Sequence, residues 1–352
     1  MGEQDTRLNI AFLTSLDPRN RRSWSGTVYY IARSLQKHCG ELSYIGPIHP
    51  IEELVGKLLH KSTQIILKKN YRYYSSFAIA RNYAKFATKE LQGLLVDVIV
   101  APSAGVEISL LESDIPIVLI EDATFGLLHN YYPQYSNLLK RSVSQSHTLQ
   151  RLAVQKASLL IYSSEWAARS AIEMYHADER KVHVIPFGAN FDAPPPPEIA
   201  AKKKKTDRCK LLFVGVDWRR KGGDIAFETL VKLEEMGIRA ELTVCGCIPP
   251  KEFSHQHMEV FPFLDKRDVV QRKKLENLFE TSNFMLLPTR SDCTPIVFCE
   301  ASSYGLPVIT TSTGGVPGTV SDGENGFMLP IEARGEAYAE LIAKIYSNEQ
   351  CY

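Results

Sequence analysis

The sequence predicts an α/β protein of two lobes, each a parallel sheet with helices on both faces. Three observations predict it. Short, near-continuously apolar runs alternate with longer amphipathic stretches, as in strand–helix–strand units. The alternation occurs twice, on either side of a single break at residues 192–208, DAPPPPEIAAKKKKTDR. The length of 352 residues exceeds one ordinary domain, and 44% hydrophobic against 23% charged residues suffices for two cores.

Residues 9–14 (NIAFLT) read as the first buried strand. Residues 26–38 follow as a helix, with Val28, Ile31, Ala32 and Leu35 on one face. Residues 96–101, 117–120 and 158–162 are further strands; 165–175 is a helix and 182–185 a strand. In the break, four consecutive prolines favour polyproline II and Lys202–Lys205 repel one another, which reads as a solvated linker. The second pattern then begins, with strands at 210–214, 240–245, 284–287 and 307–310. Helices are expected at 224–236, 273–280 and 296–304, with a last one from near Arg334. The division is a first lobe at 1–191, a linker at 192–208 and a second lobe at 209–352. Both lobes are Rossmann-like, with sheets facing a central cleft, and ligands of such sheets bind at the carboxyl ends of the strands.

A net charge of +1 argues against general nucleic-acid binding, which needs a concentrated basic field. Seven scattered cysteines, with no CxxC pair, read as free thiols in a reducing compartment. No zinc site is expected. His255 and His257 sit two apart, the wrong spacing for one helical face, with no cysteine pair beside them. Residues 1–9 hold no apolar core of a secretory signal, and no run could span a bilayer. The expectation is a cytoplasmic protein, at most membrane-peripheral.

The densest constellation is LPTRSDCTPIVFCEASSYGLPVITTSTGGVPGTVSDGENGF, residues 287–327. A strand ends at Pro288, a polar loop carries Asp292, and the following helix carries Glu300. Backbone from Thr294 to Val297 lies near the helix start, where the dipole favours anions; Pro295 suits a first turn. Gly314-Gly315 permit close backbone approach. An ordinary loop–helix–strand unit with surface acids fits the same residue types. A second constellation is VGVDWRRKGGD, residues 214–224. Its Arg219, Arg220 and Lys221, at the end of a strand, suit a diphosphate, and solvated surface charge is the plainer alternative.

The first of these stretches resembles the donor-binding motif of glycosyltransferase family 4, which has the two-lobed GT-B fold. The family pattern is an acid, seven residues, Glu-Ala, a short helix, Gly-x-Pro-Val, a strand and Gly-Gly. This chain reads Asp292, CTPIVFC, Glu300-Ala301, Gly305-Leu306-Pro307-Val308 and Gly314-Gly315. The resemblance implies that Glu300 hydrogen-bonds the nucleotide ribose and that Asp292, shorter than the usual Glu, lies near the donor sugar. It implies that Thr294, Pro295, Ile296 and Val297 line the sugar and diphosphate. Lys221 before Gly222 matches the family lysine, whereas Val216 stands where the family carries Arg; Arg220, or else Arg219, is expected to supply that charge. In the first lobe, Ser25-Gly26-Thr27 resembles the loop whose backbone faces the donor phosphates, with Gly26 the matching residue; Ser25 as a helix N-cap is the alternative. Asp122 stands about where many relatives carry a catalytic His, and His129 reads as a packing histidine.

The resemblance thus implies a metal-independent, retaining glycosyltransferase without a cofactor, using a nucleotide-diphosphate sugar as co-substrate and an unidentified acceptor. Asp292, Lys221 and Asp122 are the expected catalytic residues. A catalytically silent GT-B binding subunit is the alternative. A nicotinamide-dependent oxidoreductase is discounted, because residues 14–27 (TSLDPRNRRSWSGT) lack GxGxxG. Relatives finish with a helix crossing back onto the first lobe, for which little sequence remains after Arg334. The basic, aromatic stretch 55–76 reads as an amphipathic helix packed on its lobe, with peripheral membrane contact as the alternative.

Overall fold

A computed structural model describes residues 7–201, 203 and 206–347. Lys202, Lys204 and Lys205 of the lysine run lie outside the described residues, as do residues 1–6 and 348–352, including Cys351. The chain divides into two compact units, Met1–Pro186 and Phe187–Tyr352.

The strands of the first unit are β1 (Leu8–Leu13), β2 (Gly40–Ile45), β3 (Val98–Pro102), β4 (Ile117–Glu121), β5 (Leu159–Tyr162) and β6 (Val182–Val184). They form one parallel sheet in the order β2-β1-β3-β4-β5-β6. Its helices are α1 (Thr27–His38), α2 (Glu52–Ile66), α3 (Phe77–Leu91), α4 (Gly105–Ser109), α5 (Phe125–Leu128), α6 (Lys140–Lys156) and α7 (Glu165–Tyr175). The central strands are apolar because both their faces are covered: Phe12, Leu13, Ile99, Leu119, Leu160 and Tyr162 are buried. Ser164 starts α7 by accepting a hydrogen bond from the Ala167 N–H at 3.3 Å.

Helix α2 is turned the opposite way from a core helix. Its inward side is polar or small: Gly56 is its only buried residue, and His60 Nδ1 lies 2.9 Å from the Tyr71 carbonyl. Gly56 permits this seat, because a Cβ there would lie 2.6 Å from the Tyr73 ring. Leu54, Val55, Leu58, Leu59, Ile65 and Ile66 all face solvent. The helix is thus seated on its lobe by its polar and small side.

The second unit contains β7 (Cys209–Val214), β8 (Ala240–Cys245), β9 (Met258–Phe261), β10 (Phe284–Leu287), β11 (Val308–Thr311) and β12 (Gly326–Leu329). They form a parallel sheet in the order β12-β11-β10-β7-β8-β9, the doubly wound Rossmann arrangement. The helices are α8 (Pro197–Ala201), α9 (Gly223–Glu235), α10 (Val269–Thr281), α11 (Ile296–Ser303) and α12 (Gly335–Ser347). The core joins Phe213, Leu230, Phe279, Phe284, Phe298 and Tyr338.

The segment read as a free linker belongs to this unit. Residues 197–201 are helical, and Phe191 and Ile199 pack on the core. A Cβ at Gly305 would lie 2.8 Å from Ala200, and Lys203 donates to the Phe279 carbonyl at 2.7 Å. The unit begins at Phe187, ahead of the expected boundary, and the Phe187 carbonyl accepts from Cys299 Sγ at 3.3 Å.

Candidate functional site

In the second unit the strand order reverses between β7 and β10, which are neighbours at the sheet centre. A doubly wound sheet binds ligands at that switch point, outside the carboxyl ends. Both sequence constellations leave from it, residues 215–222 after β7 and 288–295 after β10.

The two loops rest directly on each other. Gly222 has φ 76°, and a Cβ there would lie 1.9 Å from the Pro288 carbonyl oxygen, so only glycine fits. The Arg290 N–H donates to the Arg220 carbonyl at 2.8 Å. Buried Trp218 supports the first loop from below, where a Cβ on Gly223 would meet its ring at 2.2 Å.

This contact sorts the three adjacent cations. Lys221 is buried, and its ammonium is paired with the buried Asp292 carboxylate. Arg220 is half-buried and donates from Nη1 to the Ser291 carbonyl at 2.9 Å, with Nε 3.8 Å from Asp217 Oδ2. Arg219 is exposed; its carbonyl accepts from Arg290 Nη1 at 2.6 Å. Val216, where the resemblance expects Arg, is 72% exposed.

The Asp292 carbonyl accepts from the Gly315 N–H at 3.0 Å, which ties the Gly314-Gly315 turn to the same loop. Pro295 caps α11, and Thr294, Ile296 and Val297 lie at its amino end. The Ile296 N–H donates to the Thr294 carbonyl at 2.9 Å and the Phe298 N–H to the Pro295 carbonyl at 2.8 Å, so these two donors are used within the turn. One turn further on, Glu300 is buried and its carboxylate pairs with the Lys266 ammonium. Burial pushes the Glu300 carboxyl up, and Lys266 together with the Asn190 N–H offsets only part of that.

Sequence reasoning missed Lys266, which lies outside both constellations. Asp265 pairs with Arg267 at 2.6 Å. The brace behind the loops was missed as well. Arg290 grips Asp224 at 2.7 and 2.8 Å, and Arg334 reaches the same carboxylate at 3.1 Å. Burial opposes charge on Asp224, yet the two guanidiniums hold its carboxyl below the ordinary range.

In the first unit, Trp24, Ser25 and Gly26 take consecutive left-handed conformations, φ 47°, 57° and 91°. Gly26, not Ser25, is the N-cap of α1. Two non-glycine residues held there cost of order 1–3 kcal/mol each, strain of the kind stored at functional sites. The Trp24 indole N–H donates to Asp122 Oδ2 at 3.2 Å, so the expected residues Gly26 and Asp122 are joined through a residue the sequence reading passed over. Behind Asp122, the Glu121 carboxyl is pushed up to about 8, chiefly by burial and further by the Asp122 and Glu107 charges. It accepts from Gln150 Nε2 at 2.9 Å. Glu107 is also pushed up by burial, and accepts from the Ser15 N–H at 3.1 Å. His129 stacks on Phe125 at 5.6 Å.

These features define an α/β protein of two Rossmann-like units whose second unit presents a cation and a helix amino end at its switch point. Residues 196–351, within the second unit, match the family described as Glycosyl transferases group 1. The chain is 25% identical over 193 residues to the D-inositol 3-phosphate glycosyltransferase of Xylanimonas cellulosilytica, covering 50% of this chain and 46% of that protein. For the protein of the same description in Mycolicibacterium smegmatis the identity is 25% over 209 residues, covering 56% and 47%. The chain spans about half the length of the curated relatives it matches. Among solved structures it resembles sucrose-phosphate synthase from Thermosynechococcus elongatus, with TM-score 0.68, 17% identity and coverage of 98% and 91%. WaaG, a glycosyltransferase involved in lipopolysaccharide biosynthesis, gives 0.61 and 17%, covering 98% and 92%. HepE of Anabaena, solved in complex with UDP and glucose, gives 0.57 and 16%, covering 98% and 91%. The fold is of the GT-B type.

Proposed function

We propose that the protein is a retaining, metal-independent glycosyltransferase that moves a sugar from a nucleotide-diphosphate donor onto an acceptor. The observation that carries this reading is Lys221, buried at the carboxyl end of β7 and held against the loop that opens α11. As the sugar–phosphate bond breaks, charge builds on the diphosphate; Lys221, Arg220 and the amino end of α11 would offset it. Asp292 keeps the ammonium in place before the donor arrives and then faces the sugar. Glu300 would accept hydrogen bonds from the ribose hydroxyls, and Lys266 holds it for that task. In the first unit, Asp122, oriented by Trp24, is the acceptor-side candidate, and Gly26 gives its strained loop close backbone approach to the donor. The relatives described as glycosyltransferases, and UDP with glucose in HepE, support a nucleotide-sugar donor and make UDP-glucose the first probe.

The test is thermal unfolding against UDP-, GDP- and ADP-sugars. One donor should raise Tm, by the equivalent of about 2.7 kcal/mol at a hundred times Kd. Lys221→Met and Glu300→Gln should remove the shift; unchanged donor affinity in both would refute the site. Exposed Val216 favours the second reading, a binding subunit without activity. Donor binding with neither transfer nor donor hydrolysis would establish that reading instead.

Peripheral membrane contact through residues 55–76 is part of the proposal. The outward apolar stripe of α2 is bordered by exposed Lys57 and Lys61 and followed by exposed Lys68 and Lys69, the make-up of a helix lying in an anionic interface. Among the described residues no helix is long and apolar enough to cross a membrane.

A further inference from the structure

We propose that Glu234, His255 and His257 form a site for a zinc-like divalent cation, away from the donor site. The spacing of the histidines argued against a metal, because one helical face cannot present both. The fold removes that objection by drawing the third ligand from another element: Glu234 lies in the last turn of α9, and the histidines lie in the segment leading into β9. One nitrogen from each ring and one carboxylate oxygen lie within 4.8 Å of one another.

The geometry suits zinc. His255 Nε2 lies 3.3 Å from Glu234 Oε2. Two ligands of a tetrahedral zinc, each about 2.05 Å from the metal, stand about 3.3 Å apart. His257 Nδ1 contacts the other carboxylate oxygen, Oε1. Two imidazoles and one carboxylate are a familiar zinc set that leaves a fourth position for water.

The surroundings favour a cation and fix the rings. Glu234 stands at the negative end of the α9 dipole, where an acid is unfavourable without a positive partner. Phe227, two turns earlier on the same helix face, meets the His255 ring edge-on at 6.3 Å and 81°. Phe253 packs against Phe227 in turn, at 5.4 Å.

The protons balance as follows. Without metal, the His257 N–H donates to His255 Nδ1 at 3.2 Å, so a neutral His255 ring carries its proton on Nε2, toward Glu234. His257 likewise directs its Nδ1 proton at that carboxylate. Metal binding moves each proton to the other nitrogen of its ring. His255 then gives up the hydrogen bond from the His257 N–H and must turn slightly, so the site is closed by the metal itself. The ligands lie where α9 ends and β9 begins, opposite the carboxyl ends that carry Lys221, so the metal stands apart from the donor chemistry.

The test is titration of the metal-free full chain with ZnCl2, by calorimetry and by competition with a chromophoric chelator, alongside thermal unfolding with Zn2+ and with EDTA. The proposal predicts one zinc per chain with Kd in the micromolar range or tighter, and a Tm several degrees higher than in EDTA. His257→Gln and Glu234→Gln should each weaken binding at least tenfold and abolish the Tm increase. Their unfolding in EDTA, compared with wild type, establishes that they fold. Cobalt in place of zinc should give a visible ligand-field spectrum lost in His257→Gln. Zinc binding unchanged in both variants, which would place the metal on the free thiols, overturns the proposal, as does the absence of stoichiometric binding by the wild-type chain.

Discussion

Replacing Lys221 by Met keeps most of the side-chain volume and removes only the ammonium. Asp292, 6% exposed, is then left as a buried carboxylate without that cation. Breaking a buried ion pair on one side costs about 3–5 kcal/mol. Each kcal/mol lowers Tm by roughly 2–4 °C in a unit of this size, so the second unit should melt roughly 10 °C lower. Adding Asp292→Asn removes the stranded charge, and the double variant should return to within about 2 kcal/mol of wild type. Donor binding should follow a different course. It is lost in Lys221→Met and stays lost in the double variant, because both lack the buried ammonium that meets the diphosphate. Urea unfolding followed by tryptophan fluorescence, with and without the stabilising nucleotide sugar, reads both quantities in one experiment. Return of the donor-dependent shift in the double variant, or a cost below about 1 kcal/mol for Lys221→Met, would refute the reasoning.

Two further outcomes are expected. Because the folded-state Glu121 carboxyl sits at about 8 against an ordinary 4.5, the folded chain holds a proton that the unfolded chain releases over that interval, and stability falls as pH rises through it. The loss is at most about 5 kcal/mol, from 3.5 pH intervals at 1.36 kcal/mol each. Glu121→Gln should flatten most of the slope of urea midpoint against pH between 5 and 8, leaving the part due to Glu107; an unchanged slope rejects the assignment. For the membrane face, the chain should sediment with vesicles containing anionic lipid and remain in the supernatant with neutral ones, and Leu58→Glu with Ile65→Glu should abolish sedimentation without lowering Tm. Sedimentation unaffected by these changes would place the contact elsewhere.

Much of the fold was legible because parallel strands covered on both faces must be apolar throughout. The cores of β1, β4, β5, β7, β10 and β11 stand out as such runs. The strands that were passed over, β2, β9 and β12, are all sheet edges. Their burial alternates or is partial, so GELSYI and MEVF lack a continuous apolar signal. Helix α6 is hard to read in KRSVSQSHTLQRLAVQK because Ser142, Ser146 and Gln150 share its buried side with Leu149, Ala153 and Val154. Of the candidate site, the residues along the two loops could be read in order, because a loop fixed by glycines and a helix start is a local feature.

By itself the sequence determined two α/β patterns, the loops that would carry charge, and a match to a known donor-binding order. It could not determine which of three neighbouring cations is buried, that Lys266 meets Glu300, that Trp24 meets Asp122, that α2 turns its apolar side outward, or that Glu234 joins two histidines. Each of these depends on pairs distant in sequence, brought together by strand order and by close contacts such as Gly222 on Pro288. Local patterns specify elements, whereas the chemistry of a side chain depends on its burial and its partner, and those exist only once the chain has packed.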